Sequence, residues 1–179
     1  KGNMIMDKNF DWSQPDWTRE QPKRFWDPGR KLLLSIRDYQ KIKVSRNPVN
    51  IIRKKICVVR HRFWSIVTGA EIDLSCNLGG GLLIPHPNGI VIHPDSKIGV
   101  NCLLFQQVTL AGSVELGYHV DIGAGAKLLG PLKIGNNVRI GANAVVTKDI
   151  LDDVTVAGVP ATVIYSQKNT PTVNNKSTK

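Results

Sequence analysis

Acidic residues are scarce in this chain of 179 residues: 14 Asp and Glu stand against 24 Lys and Arg, a formal net charge of +10. The shortage is local. Nothing acidic lies between Asp38 and Glu71, while Lys41, Lys43, Arg46, Arg53, Lys54, Lys55, Arg60 and Arg62 crowd that stretch. Such charge suits a solvated helix face, an anionic membrane surface or an acidic substrate. No nucleic-acid readout motif accompanies it, so no nucleic-acid partner is expected, while weak membrane-surface contact is retained. Cysteine is also rare. Cys57, Cys76 and Cys102 form an odd set without CxxC spacing, which reads as reduced, buried thiols of a cytoplasmic protein. Long apolar runs are absent: none approaches a membrane span, and no signal peptide is visible.

What the chain does have is a beat of six. Aliphatic residues recur at Ile98, Leu104, Leu110, Leu116, Ile122, Leu128, Ile134, Ile140 and Val146. A second series runs four residues later: Cys102, Val108, Val114, Val120, Ala126, Leu132, Val138, Ala144, Ile150. Neither the helical period of 3.6 nor the strand period of 2 produces this. A hexapeptide period signals a parallel β-helix, a triangular prism with a coil of about 18 residues. Both series point into the prism, and each coil pairs its backbone with its neighbours. The fold class expected is mainly β.

Backward from Ile98 the beat slips. Ile72, Leu78, Ile84 and Ile90 are six apart, but Ile90 to Ile98 is eight, which sets two extra residues in His93-Pro94-Asp95-Ser96. A second slip is expected after Ile150. The coil domain spans 71–165. Before it, Asp27-Pro28 and Asn47-Pro48 each pair an N-cap residue with proline at the first helical position. Two helices in 27–70, the second ending near Gly69, form a cap over the open end of the coil. Residues 1–26, with Trp12, Trp17 and Trp26, read as an extended aromatic arm, and 166–179 as a disordered polar tail.

Four motifs then carry a resemblance: Ile84-Pro85-His86-Pro87-Asn88-Gly89-Ile90, Ile122-Gly123-Ala124-Gly125-Ala126-Lys127, Ile140-Gly141-Ala142-Asn143-Ala144-Val145-Val146-Thr147-Lys148, and Ala157-Gly158-Val159-Pro160-Ala161. The stretch from Glu71 to Ile164 resembles the hexapeptide-repeat acyltransferases, in their serine acetyltransferase-like branch, which includes O-acetyltransferases of bacterial polysaccharide synthesis. The resemblance implies a left-handed coil, a homotrimer, and acetyl-CoA held as co-substrate in the groove between neighbouring prisms. It places Ala124 and Ala142 along the pantetheine arm, with Thr147 and Lys148 near the nucleotide end.

Transfer of an acyl group to a hydroxyl needs a base, because a sugar or serine hydroxyl is too weak an acid near neutral pH. Imidazole fills that role well, and His86 is the candidate. Glu71 lies fifteen residues earlier, close to one coil, and the matching family position is an acidic residue that bonds the base; a Glu71–His86 dyad is therefore expected, with Asp73 a weaker partner. Backbone amides near Ala111-Gly112 are candidate donors to the developing oxyanion. His86, His93 and His119 lack the spacing of a zinc triad, so no metal is expected. Two departures from the serine enzymes bear on the acceptor. Pro85 stands where they carry Asp, and Ala111-Gly112-Ser113-Val114 has no inserted loop. The expectation is therefore an acceptor hydroxyl on a sugar or polysaccharide precursor. Serine O-acetylation is the alternative, and a non-catalytic interaction module the second alternative.

Overall fold

The computed structural model describes residues 11–45 and 47–166. Residues 1–10 of the expected arm, and all of the expected tail beyond Ser166, lie outside the described residues.

Three parallel faces of short strands close into a prism. The first face stacks Glu71–Ile72, Val91–Ile92, Thr109–Ala111, Lys127–Leu129 and Val145–Val146. The second stacks Asn77–Leu78, Lys97–Ile98, Val114–Leu116 and Leu132–Ile134. The third stacks Leu103–Leu104, Asp121–Ile122, Arg139–Ile140 and Val154–Ala157, and ends in an antiparallel strand, Thr162–Ser166. The hexapeptide beat becomes one continuous core, because each coil alone has too little apolar surface and buries it only against its neighbours.

The register relocates both slips. Ile72 pairs with Ile92 and Leu78 with Ile98, twenty residues on, whereas Ile92 pairs with Leu110 and Leu104 with Ile122, eighteen on. The two extra residues therefore lie between Ile84 and Ile90, at the corner that carries His86, and not in His93–Ser96. Ile92 is the inward residue of its strand. Ser96 takes the second inward position, fully buried, with its hydroxyl donating to the Gly112 carbonyl at 2.8 Å. At the far end Leu128 pairs with Val146, eighteen on, but Ile134 bridges to Ile150, sixteen on. That coil is two residues short at the corner of Thr147 and Lys148, ahead of Ile150 rather than after it.

Helix α1 (Pro28–Ile42) and helix α2 (Pro48–Thr68) cover the open end. Asn47 caps α2 by accepting from the Val49 amide, and Gly69 ends it in the left-handed region at φ 64°. Asp27 precedes α1 but does not cap it; its carboxylate takes the Lys23 amide and Arg30 instead. Leu32, Leu33 and Ile36 bury completely against the first coil. The cap also satisfies backbone groups that an end coil would leave unpaired. Arg37 donates to the carbonyls of Leu78 and Gly79, Gln40 to that of Cys76, and the His61 ring meets that of Ile72.

The described part of the arm, 11–26, is anchored rather than loose. It forms one 3-10 turn, Trp17–Glu20, and closes on Asn101. The buried Asn101 side chain accepts from the Asp16 amide and donates to the carbonyls of Trp12 and Gln14.

Gly29 brings α1 against the corner of His86. A Cβ there would stand 2.6 Å from the Ile84 carbonyl oxygen and 3.6 Å from the Pro87 ring. Gly29→Ala is expected to cost about 1–3 kcal/mol through overpacking, read as a lower midpoint in thermal denaturation; an unchanged midpoint would show that the contact yields freely.

Candidate active site

The corner holding His86 is built from both ends. Pro85 and Pro87 flank the histidine, and the Ile90 amide closes the turn on the Pro87 carbonyl at 3.1 Å. Gly89, at φ 69°, adopts a conformation that side-chain-bearing residues seldom hold. Its amide donates to the carbonyl of Gly69 at 2.9 Å, so the end of α2 clamps the corner. The two extra residues push this corner outward. His86 is exposed, with its ring facing Phe105 at a centroid distance of 6.5 Å and 25° between planes.

Below His86 the corners stack into one edge of the prism. The Gln107 amide donates to Asn88, the Gly125 amide to Gln106, and the Asn143 amide to Ala124, each at 2.8–2.9 Å. Ala124 and Ala142 therefore lie on the edge that begins at His86, one coil apart. Their small side chains leave a shallow track along it. Lys127 adds a cation, bonded through its Nζ to the Gln107 carbonyl. The Gln106 Oε1 atom on this edge is buried and lacks a hydrogen-bond partner among the described residues. Thr147 and Lys148, both exposed, occupy the shortened corner across the first face, with Val145–Val146 between them and Ala142.

Several expected contacts are not made in the single chain. Glu71 pairs in register with Val91, and its exposed side chain has no hydrogen bond to His86. Fifteen residues would be near one coil only at a period of eighteen; the coil here is twenty. Asp73 is committed to its own turn, accepting from the Ser75 amide and hydroxyl, and those bonds hold its carboxyl below the ordinary range. Ala111 ends a strand of the first face, so the amides near Ala111–Gly112 lie across that face from the His86 edge. The three histidines stay apart. His119 stacks on Trp12 at 4.0 Å and bonds Asn137, while His93 meets the amide of Asp95. Among the described residues, no group of three or more His, Cys, Asp or Glu comes together.

Phe105, Gln106 and Gly29 were not singled out by the sequence. The hint for Phe105 was an aromatic at a corner position, just after the inward Leu104. A hollow of about 640 Å³ lies elsewhere, between arm and α1, and is lined by Trp17, Leu34, Arg37 and Gln40 among others. It shares no residue with the His86 edge, and its chemistry is that of a structural Arg37–Glu20 pair.

The cysteines make poor nucleophiles. All three are buried and free, and burial pushes the Cys102 thiol up to about 12 and raises that of Cys76. A thiolate is the reactive form. Native protein at pH near 8 is expected to leave Cys76 and Cys102 unmodified by iodoacetamide, with both reacting after unfolding; mass spectrometry of the intact chain reads the difference.

A parallel solenoid with an imidazole mounted on a small-residue edge defines the class. Comparison with known proteins agrees. The family described as "Bacterial transferase hexapeptide (six repeats)" matches residues 119–148. Over 108 residues the chain is 44% identical to the serine acetyltransferase of Synechococcus elongatus, covering 56% of this chain and 44% of that protein. Over 117 residues it is 40% identical to the serine acetyltransferase of Mycobacterium tuberculosis, covering 61% and 51%. The chain thus spans about half the length of these curated relatives. The solved serine acetyltransferase of Neisseria gonorrhoeae superposes with a TM-score of 0.70 at 29% identity, over 86% of this chain and 59% of that one. A serine acetyltransferase in complex with CoA gives 0.65 at 30% identity, over 76% and 57%. Repeat and fold together match the hexapeptide-repeat transferases, whose left-handed β-helix this coil shares. The relatives named are serine acetyltransferases, not the polysaccharide-building branch expected from the sequence.

Proposed function

We propose that this chain is an acetyl-CoA-dependent O-acetyltransferase with His86 as general base, and that serine is its acceptor. The observation that carries the reading is an exposed imidazole at a widened corner, heading an edge paved with Ala124 and Ala142. The residues fit a pantetheine arm: small side chains admit it against the backbone, and Lys127 and Lys148 offer charge to phosphates. CoA bound to a similar fold at 30% identity supports the same donor.

In this mechanism His86 removes the proton from the acceptor hydroxyl as its oxygen attacks the thioester carbonyl. The carbon–sulfur bond breaks, the imidazolium returns its proton to the departing sulfur, and an acetyl ester and free CoA thiol result. No net charge or electron is left over. Backbone amides near Ala111–Gly112 would reach the reacting carbonyl only from a neighbouring prism, because in one chain they lie across the first face from His86. The homotrimer implied by the family resemblance would set the site between copies, and light scattering should then return three times the chain mass. Glu71, whose side chain makes no hydrogen bond among the described residues, would orient the imidazole in that assembly.

A sugar hydroxyl is the second reading. It is favoured by the tight turn between Ala111 and Val114, tied down by Ser96 on the Gly112 carbonyl, and by Pro85 beside the base. Neither leaves an obvious clamp for an amino-acid carboxylate. Thiol release from acetyl-CoA, followed with L-serine and with monosaccharides in turn, decides between them. Faster release with serine is expected; release with sugars alone would transfer the assignment, and release with neither while CoA still binds would remove both acceptors.

A further inference from the structure

Helix α2 turns its apolar side away from the body it caps. It buries a narrow stripe of Cys57, Trp64 and Thr68. On the other side Val49, Ile52, Ile56, Val59, Phe63 and Ile66 recur at alternating spacings of three and four. All six are exposed, Val59 at 70% and Ile66 at 81%. That spacing stacks them in one stripe along the helix. At about 100° per residue, Arg53 and Arg60 run along one border of the stripe and Lys55 and Arg62 along the other. Arg60 is held by Asp38; the other three have no ion pair among the described residues. No acidic residue occurs anywhere in the helix.

We propose that α2 is a peripheral docking face for an anionic lipid bilayer. The stripe enters the boundary between headgroups and acyl chains, and the bordering cations meet lipid phosphates. No helix among the described residues is long and apolar enough to cross a membrane, so the contact is one of surface attachment. The charge pattern selects this occupant over a second copy. The three–four spacing would also suit a coiled-coil seam, but Arg53, Arg60, Lys55 and Arg62 border the stripe and no acidic residue of the helix balances them, so two α2 helices would set Arg and Lys against Arg and Lys. The aromatic residues point the same way. Trp26 packs edge-on against Trp64 at 5.7 Å yet remains 60% exposed, and Phe63 packs on the same Trp64 ring. Exposed aromatics near the end of an apolar stripe suit the headgroup layer. This proposal does not rest on the acyl-transfer reading.

The test is co-sedimentation of the full chain with vesicles of phosphatidylglycerol and phosphatidylcholine in equal parts, and with phosphatidylcholine alone. Binding is expected to the first and not the second, and to weaken as salt rises. Lys55→Gln and Arg62→Gln should each lower partition about fivefold. Ile56→Ser with Val59→Ser should abolish binding while circular dichroism and the melting curve stay unchanged, because both side chains are exposed. Failure to sediment with the anionic vesicles overturns the proposal, as does binding indifferent to either pair of changes. Two other results also overturn it: an oligomer that dissociates in the Ile56→Ser, Val59→Ser variant without any vesicle binding, which gives the stripe to a second copy, and binding to an acidic helical peptide but not to vesicles, which gives it to a protein partner.

Discussion

His86→Asn is expected to lower the turnover number for acetyl transfer by about 10²–10⁴-fold, the usual contribution of a positioned general base. The asparagine keeps polarity and approximate size but cannot accept a proton and return it to sulfur. The side chain is exposed and bonds to nothing among the described residues, so stability should move by less than about 0.5 kcal/mol. This separation of activity from stability matters, because a loss caused by a collapsed corner would shift the melting curve as well. Glu71→Gln provides the companion measurement. If the carboxylate orients the imidazole in the assembled protein, turnover falls while the KM for acetyl-CoA holds; if Glu71 is a solvated residue of the first strand, neither moves.

Arg37→Ala is expected to destabilise the fold by about 3–5 kcal/mol, the range found when one partner of a buried ion pair is removed. Arg37 meets Glu20 through two bonds, Nε to Oε2 at 2.9 Å and a terminal nitrogen to Oε1 at 2.8 Å. It also donates to the carbonyls of Leu78 and Gly79, both at 2.7 Å. Glu20 is only 6% exposed and accepts from the Leu82 amide at 3.0 Å. Without the guanidinium, a buried carboxylate loses its counter-charge and the end of the second face loses two donors. Arg37→Lys should recover only part of the loss, since an ammonium cannot supply the same fork. Denaturant unfolding gives the magnitude. A cost under about 1 kcal/mol, the level of a surface pair, would mean that arm and helix are not what closes the coil.

The prism was legible in the sequence because its inward positions are chemically uniform. From Ile98 to Val146 every sixth residue is aliphatic, and no other architecture repeats in that way. The placement of the slips was not, for a local reason. Ile90 and Ile92 are both buried aliphatics, and only the ladder, Ile92 beside Leu110, tells which one faces inward as the strand residue. Ser96 misled in the opposite sense: it is polar yet fully buried, satisfied by the Gly112 carbonyl. The expected Glu71–His86 spacing rested on the same assumption, a coil of eighteen residues where this one has twenty. His86 itself could be singled out from its prolines and glycine. Its ring neighbour Phe105 could not, because a contact between adjacent coils depends on register. The arm was opaque for the same reason: its anchor, Asn101, lies more than eighty residues away in the chain.

The most direct test of the account measures binding and transfer on the same His86→Asn protein. Calorimetric titration with CoA reports the edge of Ala124 and Ala142, and thiol release from acetyl-CoA with serine present reports the base. The account predicts an unchanged Kd for CoA together with the loss of transfer. Transfer at the wild-type rate in a folded, CoA-binding variant would contradict it.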